Sequence, residues 1–582
     1  MAASSSGATH GPPDDRIISS QSNAGSSSPP ARGALPMFDP ILTRKRVEAM
    51  NAGGFWPGKT AADYLDGCIA KMPDKTAVVD FNSMTNKATR LSYRDLGKIV
   101  ERIAVGLAEL GVEKGDVVSC QLPNWWQFTA LHLACVRIGA VTNPLMPIFR
   151  ERELSFMLGL AESKVLVIPR AFRGFDYPAM VANIRAGLPQ LKNVLVISGD
   201  GETSFEKVLL DTPWEQRRDA GRLFAARRPD PDDVTQLMYT SGTTGEPKGV
   251  MHTSNTLLSN ILICAERLGL GADDVMFMAS PMAHQTGFMY GLVMPVLAGA
   301  TAILQDVWEP KRASASISRE GITFTMASTP FLSDLTETVA ADGSDVSRLR
   351  IFLVAGAPIP RALVERARQI LGANIVSAWG MTENGLVTTT CLDDPDDKAI
   401  NTDGRALPGM EVQVVDSENK PLLAGEEGML KARACSTFVG YLKRPDWYNH
   451  DAEGWFGTGD LARIDGQGYI RLTGRSKDII IRGGENIPVV EIEGLLFRHP
   501  DIQDVAIVGV PDERLGERAC AFIVPKPGRE VGLREVVAFL EEHRVARQYL
   551  PERAEIVGEL PRTPSGKVQK FKLREIAVAL PT

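Results

Sequence analysis

Residues Tyr239 to Gly249 read YTSGTTGEPKG, a run of glycines, hydroxyls and one lysine that follows the apolar start of a strand. Gly242, Gly245 and Gly249 let backbone amides turn toward oxyanions with no side chain in the way. Thr240, Ser241, Thr243 and Thr244 add hydroxyl donors, and Lys248 adds positive charge. Such a loop wraps phosphates, and the run reads as a nucleoside triphosphate site. It is not the GxxxxGK[ST] pattern, because Lys248 is followed by Gly249 where that motif needs a hydroxyl for magnesium, so the P-loop fold does not follow. A flexible linker is the competing reading, and the ordered ending Pro247-Lys248-Gly249 weighs against it.

Further segments follow in a fixed order: Met282 to Gly287 (MAHQTG), Ala355 to Pro358 (AGAP), Trp379 to Glu383 (WGMTE), Gly457 to Asp460 (GTGD), Gly474 to Asp478 (GRSKD), Gly483 to Asn486 (GGEN) and Pro561 to Lys567 (PRTPSGK). Together with the glycine-rich run they resemble the acyl-adenylate-forming superfamily, which includes acyl-CoA synthetases, nonribosomal adenylation domains and luciferases. The resemblance extends from about residue 38 to the end of the chain. It implies a large N-terminal α/β domain of several subdomains, residues 37–474, and a small mobile α+β domain, residues 475–582.

Composition agrees with a multidomain enzyme. At 582 residues the chain is too long for one core, and 44% hydrophobic with 23% charged residues is ordinary for a globular protein. A formal charge of −7 disfavours nucleic acid as a partner, so any anionic ligand must be held by local donors. The seven cysteines are scattered with no CxxC pair, which gives neither a disulfide framework nor a zinc site and fits a reducing compartment. No apolar run approaches the roughly 18 residues of a membrane span, and no signal sequence is legible, so the expected location is the cytoplasm, without integral membrane association. Residues 1–36 are rich in Ser, Gly, Ala and Pro and read as a disordered tail. Nothing in the sequence specifies oligomeric state, and a homodimer is compatible with it.

Periodicity supports alternating elements. Leu96, Ile99, Val100, Ile103, Leu107 and Leu110 recur at three or four residues, with Ser92 and Asp95 as a capping box and Gly111 as the stop, which predicts a helix. Strand Val117 to Gln121, helices near 128–138 and 154–160, and strands 165–168 and 194–197 continue the alternation, arguing for parallel sheets covered on both faces. Past Gly474 the character changes: a strand at 479–481, a turn at Gly483-Gly484, a helix from about Pro488, a strand at 505–510 and a helix around 536–543 suit a small α+β unit.

The resemblance assigns roles that single residues would not support. Lys567 is placed between the substrate carboxylate and the α-phosphate as the central catalytic cation; alone it would read as a solvated lysine. Thr382 bonds phosphate and Glu383 coordinates magnesium, although the pair also reads as the start of a helix. Trp379, Gly380 and Met381, with Gly356, Ala357 and Pro358, join the nucleotide site. Trp379 stands where the family more often has Tyr, as an adenine-stacking candidate. Asp460 accepts from ribose hydroxyls and Arg475 reaches ribose or phosphate. Lys477 matches the hinge of the mobile domain. Gly483, Gly484 and Glu485 approach the pantetheine of coenzyme A. His284 flanks the acyl pocket, whose walls are read as Met282, Phe288, Met289, Ala327 and Phe331.

The implied reaction is ATP-dependent ligation of a carboxylic acid to coenzyme A through an acyl-adenylate, with release of AMP and pyrophosphate and with Mg2+ as the cofactor. No acidic residue lies in Pro281 to Gly291 or Ala327 to Phe331 to pair with an ammonium group, so an uncharged acid is expected. The chain resembles medium-chain fatty acyl-CoA synthetases and cyclohexanecarboxylate-CoA ligases most, with an aryl-CoA ligase as the alternative. A nonribosomal adenylation module, a luciferase-like oxidase and a non-catalytic nucleotide-binding protein are the rival classes.

Overall fold

The computed structural model describes residues 38–240, 246–482 and 485–580. The tail at 1–36 therefore lies outside the described residues, as do Ser241, Gly242, Thr243, Thr244, Gly245, Gly483 and Gly484.

The predicted helix forms at Tyr93–Glu109. Ser92 Oγ accepts from the Asp95 amide at 3.1 Å and donates to the Asp95 carboxylate at 2.6 Å, closing the capping box. Leu96, Val100, Ile103 and Leu107 are fully buried along one face. Each such side chain contributes about 1.5–3 kcal/mol relative to exposure. Gly111 turns the chain out with φ +85°, a left-handed angle suited to glycine.

Among the described residues, a six-stranded sheet runs in the spatial order Lys248–Thr253, Val234–Thr240, Val141–Pro144, Val117–Cys120, Val165–Pro169 and Asn193–Ile197. Its pairings are parallel except for the first two strands. Those two form an antiparallel hairpin in which Thr240 pairs with Lys248, so the glycine-rich run is the hairpin's connection. A nine-stranded sheet has Thr301–Gln305, Val275–Met278, Phe324–Ala327, Ile351–Val354 and Asn374–Met381 at its parallel centre. Parallel strands buried on both faces explain the continuous apolar runs that the sequence shows. A four-stranded antiparallel sheet follows, Met410–Val415, Glu427–Ala434, Phe456–Ile464 and Ile470–Arg475.

The C-terminal unit begins one turn later. Strand Ile502–Asp512 pairs with Gly516–Pro525, and side chains alternate cleanly between its two faces. Val505 and Ile507 pack with Val489, Ile492 and Leu496 of helix Val489–Leu496 and with Val536 and Leu540 of helix Leu533–Glu542. Ala506 and Val508 face the other way, onto Leu573 and Ala577 of helix Lys570–Ala579. All seven cysteines are buried free thiols, and among the described residues no helix is long and apolar enough to cross a membrane.

Candidate active site

The site is assembled from strand ends and turns. Thr382 and Glu383 do not start a helix; they occupy the turn between strands Asn374–Met381 and Gly385–Thr389. Three backbone carbonyls of that turn are each taken. His252 Nε2 donates to Thr382 O at 2.8 Å, the Phe438 amide to Glu383 O at 2.7 Å, and Ser436 Oγ to Asn384 O at 2.6 Å. A turn held at every carbonyl fixes the backbone from which the Thr382 and Glu383 side chains project.

Glu383 is buried, and its Oε1 accepts from the Tyr441 hydroxyl at 2.8 Å. Burial raises its carboxyl pKa above the ordinary value, and the Tyr441 hydrogen bond and the charges of Lys248 and Lys567 oppose that rise. A buried hard-oxygen donor so placed fits magnesium, which Glu383 would hold.

Asp460 lies in strand Phe456–Ile464 opposite Arg475 in strand Ile470–Arg475. The Arg475 Nε donates to one carboxylate oxygen at 2.9 Å and the Trp379 indole N–H to the other at 2.9 Å. Trp379 thus presents its N–H edge to Asp460, and its ring is buried.

Lys567 reaches this cluster from the C-terminal unit. A methyl group built on Gly356, whose φ is +85°, would lie 3.7 Å from Lys567 Cε, so the AGAP turn passes directly beside the lysine stem. Burial lowers the Lys567 pKa and the neighbouring Arg475 lowers it further, while Asp460 and Glu383 favour the charged form. Gly566 has φ +87°, and a methyl group there would stand 2.3 Å from Ser328 Oγ. Glycine alone lets the lysine-bearing loop approach this closely. His284 caps the short helix Gln285–Gly287, and burial holds its imidazole neutral with a pKa down at about 3, a shift that Lys567 reinforces.

The structure therefore brings together Thr382, Glu383, Trp379, Asp460, Arg475, His284, Gly356 and Lys567, with Gly380 and Met381 at the strand end that leads into the turn and Ala357 and Pro358 following Gly356. Lys477 lies just past Ser476 after the last strand of the four-stranded sheet, with its carbonyl 3.4 Å from Arg574 of helix Lys570–Ala579. Glu485 is exposed and pairs with Arg482 in an antiparallel ladder. The five acyl-pocket residues are all buried but fall in two groups. Met282, Phe288 and Met289 belong to the main core, where Phe288 packs on His132 at 4.6 Å, while Ala327 and Phe331 join a neighbouring cluster, where Phe331 packs on Trp308. His252, Ser436 and Tyr441 were not singled out by sequence, because a lone histidine or tyrosine far from its partner carries no spacing signal.

One family model, described as AMP-binding enzyme, matches residues 65–442, and a second, the AMP-binding enzyme C-terminal domain, matches 491–567. The chain belongs to the AMP-binding enzyme family. It is an AMP-forming acid–thiol ligase of the acyl-CoA synthetase kind. The "Medium-chain fatty-acid--CoA ligase" of Escherichia coli (strain K12) is 37% identical over 541 residues, covering 92% of this chain and 93% of that protein. A Streptomyces sp "Salicylyl-CoA synthase / salicylate adenylyltransferase" is 33% identical, covering 92% and 96%. The crystal structure of ATP-bound MatB from Rhodopseudomonas palustris superposes with TM-score 0.77 at 26% identity, covering 90% of this chain and 99% of that one. Family membership accounts for the two-part architecture.

Proposed function

We propose that this AMP-binding enzyme activates an uncharged medium-chain fatty or alicyclic acid, such as cyclohexanecarboxylate, as its acyl-adenylate and transfers the acyl group to coenzyme A. The observation that carries the reading is Lys567 beside Gly356, within electrostatic reach of Glu383, Asp460 and His284. A carboxylate attacking the α-phosphate of ATP brings two anions together. One cation between them lowers the repulsion and stabilises the charge that develops at phosphorus. Lys567 supplies that cation. Thr382 donates a hydroxyl toward phosphate, and Glu383 would hold magnesium, which when bound neutralises phosphate charge. Asp460, fixed by Trp379 and Arg475, presents acceptors to the ribose. The phosphate loop contributes Thr240, Ser241, Gly242, Thr243, Thr244, Gly245 and Lys248. His284, neutral at physiological pH, orients the acid by hydrogen bonding without adding charge.

Thioester formation needs room for a thiol where Lys567 now stands. The C-terminal unit rotates about Lys477 after pyrophosphate leaves, and the turn carrying Gly483, Gly484 and Glu485 then lines the pantetheine path. The lack of an acidic residue within Pro281 to Gly291 and Ala327 to Phe331 favours an acid without an ammonium group, and the medium-chain ligase relative points the same way.

An aryl acid is the second reading. The salicylyl-CoA relative favours it, and so does Gln285, a buried side chain next to His284 whose amide has neither polar end paired, as a substrate hydroxyl could satisfy. AMP release from ATP, magnesium and coenzyme A with acids from acetate to decanoate, cyclohexanecarboxylate, benzoate and salicylate separates the two. A maximum among C6–C10 or alicyclic acids supports the first reading and a maximum with salicylate the second. A maximum with any amino acid overturns both.

A further inference from the structure

Lys248 opens the strand that leads out of the phosphate loop, and its ammonium lies over two aromatic rings, 5.1 Å from the Tyr441 centroid and 4.9 Å from the Trp447 centroid. The rings stand 6.5 Å apart at 74°, so they form two walls of an open corner. Three further observations show that the corner is built. The Leu442 amide donates to Gly249 O at 2.8 Å, and Tyr441 bridges Val250, which ties the Tyr441 segment to the Lys248 strand. The Tyr441 hydroxyl is committed to Glu383, which fixes the ring's rotation. Arg444, 5.3 Å from the Trp447 centroid, also pairs with Glu246 on the loop side of Lys248 at 3.4 Å.

We propose that Tyr441 and Trp447 are positioning residues for the nucleotide step, seating the Lys248 ammonium at the exit of the phosphate loop so that it meets the outer phosphates of ATP already aimed. A lysine stem has four rotatable bonds, and a freely moving ammonium would lose that freedom each time ATP bound. Ring faces are suited to hold it, because they attract a cation without neutralising it and release it without breaking a hydrogen bond. Glu383 is close enough to feel the Lys248 charge and would otherwise compete for it. By taking one Glu383 oxygen, the Tyr441 hydroxyl separates the two roles: carboxylate for the metal, ammonium for phosphate. The proposal rests on reading the loop as an ATP site.

The test is calorimetric binding of ATP and of AMP to the full chain, wild type against Trp447→Leu, Trp447→Phe and Lys248→Ala, with the double variant W447L/K248A. Loss of one ring face should weaken ATP about five- to tenfold. AMP binding should change less than about twofold, because AMP lacks the outer phosphates. Trp447→Phe, which keeps a ring, should recover most of the loss. In the Lys248→Ala background, Trp447→Leu should add almost nothing, since the ring acts through the lysine. Equal weakening of ATP and AMP, or an undiminished Trp447→Leu effect without Lys248, would overturn the proposal. Wild-type protein that binds AMP but gains nothing from the outer phosphates would instead sink the ATP-loop reading itself.

Discussion

At the residue scale, Glu383 shows how function opposes stability. Its carboxylate is buried and its pKa raised, so the folded state holds its proton more tightly than the unfolded state does. Stability therefore falls as pH rises from the unfolded pKa through the folded one, and at neutral pH the charged side chain is a net cost. Glu383→Gln should raise the melting temperature by about 1–3 °C at pH 7.5, while adenylation drops by two orders of magnitude or about that. Calorimetry and pyrophosphate release check the two halves, and a lowered melting temperature would contradict the sign. The motif residues could be singled out through the family resemblance that their segments carry in one order, not from any residue alone. The residues that hold them could not. Tyr441 is 58 residues from Glu383, and His252 is 130 residues from Thr382. Neither pairing leaves a pattern in one sequence.

At the element scale, turns decide what sequence periodicity cannot. Helix Tyr93–Glu109 followed from its capping box and apolar stripe, and the strands of the parallel sheets followed from short apolar runs. Thr382-Glu383 read equally well as a helix start, and only the pairing of Met381 with Gly385 makes it a β-turn. The loop bearing Lys567 is the sharpest case. Gly566 combines a left-handed φ with a position against Ser328 Oγ. Gly566→Ala should lower the adenylation rate at least about tenfold through steric exclusion of the lysine loop, and leave thioester formation from supplied acyl-adenylate within about threefold. Adding Ser328→Gly should restore part of the first rate. Equal loss of both half-reactions would show a folding defect instead.

At the scale of the whole molecule, four imidazoles are held neutral, His132 and His252 buried and His284 and His450 partly buried: His132, His284 and His450 are pushed down to about 3 and His252 to about 4, in each case chiefly by desolvation. Their folded pKa values lie below the unfolded one, so the stability they allow is complete above about pH 6.5 and is lost as pH falls below it. Carboxyls raised by burial work in the opposite direction, Asp80 to about 6 and Glu383, Asp403, Asp232 and Asp334 also upward, and offset part of that loss. The melting temperature should thus drop by several degrees between pH 7 and pH 5, and a flat profile would contradict the burial of these rings. Lys477→Pro, at the junction of the two units, should spare adenylation and suppress transfer to coenzyme A, as read by acyl-adenylate accumulating without thioester. A change of character near Gly474 was legible in the sequence, yet the seating of Lys567 against Gly356, more than two hundred residues earlier, was implied only by resemblance. That seating is the central claim, and the half-reactions of Lys567→Ala measure it directly. The account predicts that pyrophosphate-releasing adenylation falls by at least about a hundredfold, while acyl transfer from supplied acyl-adenylate to coenzyme A stays within about threefold of wild type. Parallel loss of the two rates, or unchanged adenylation, would contradict it.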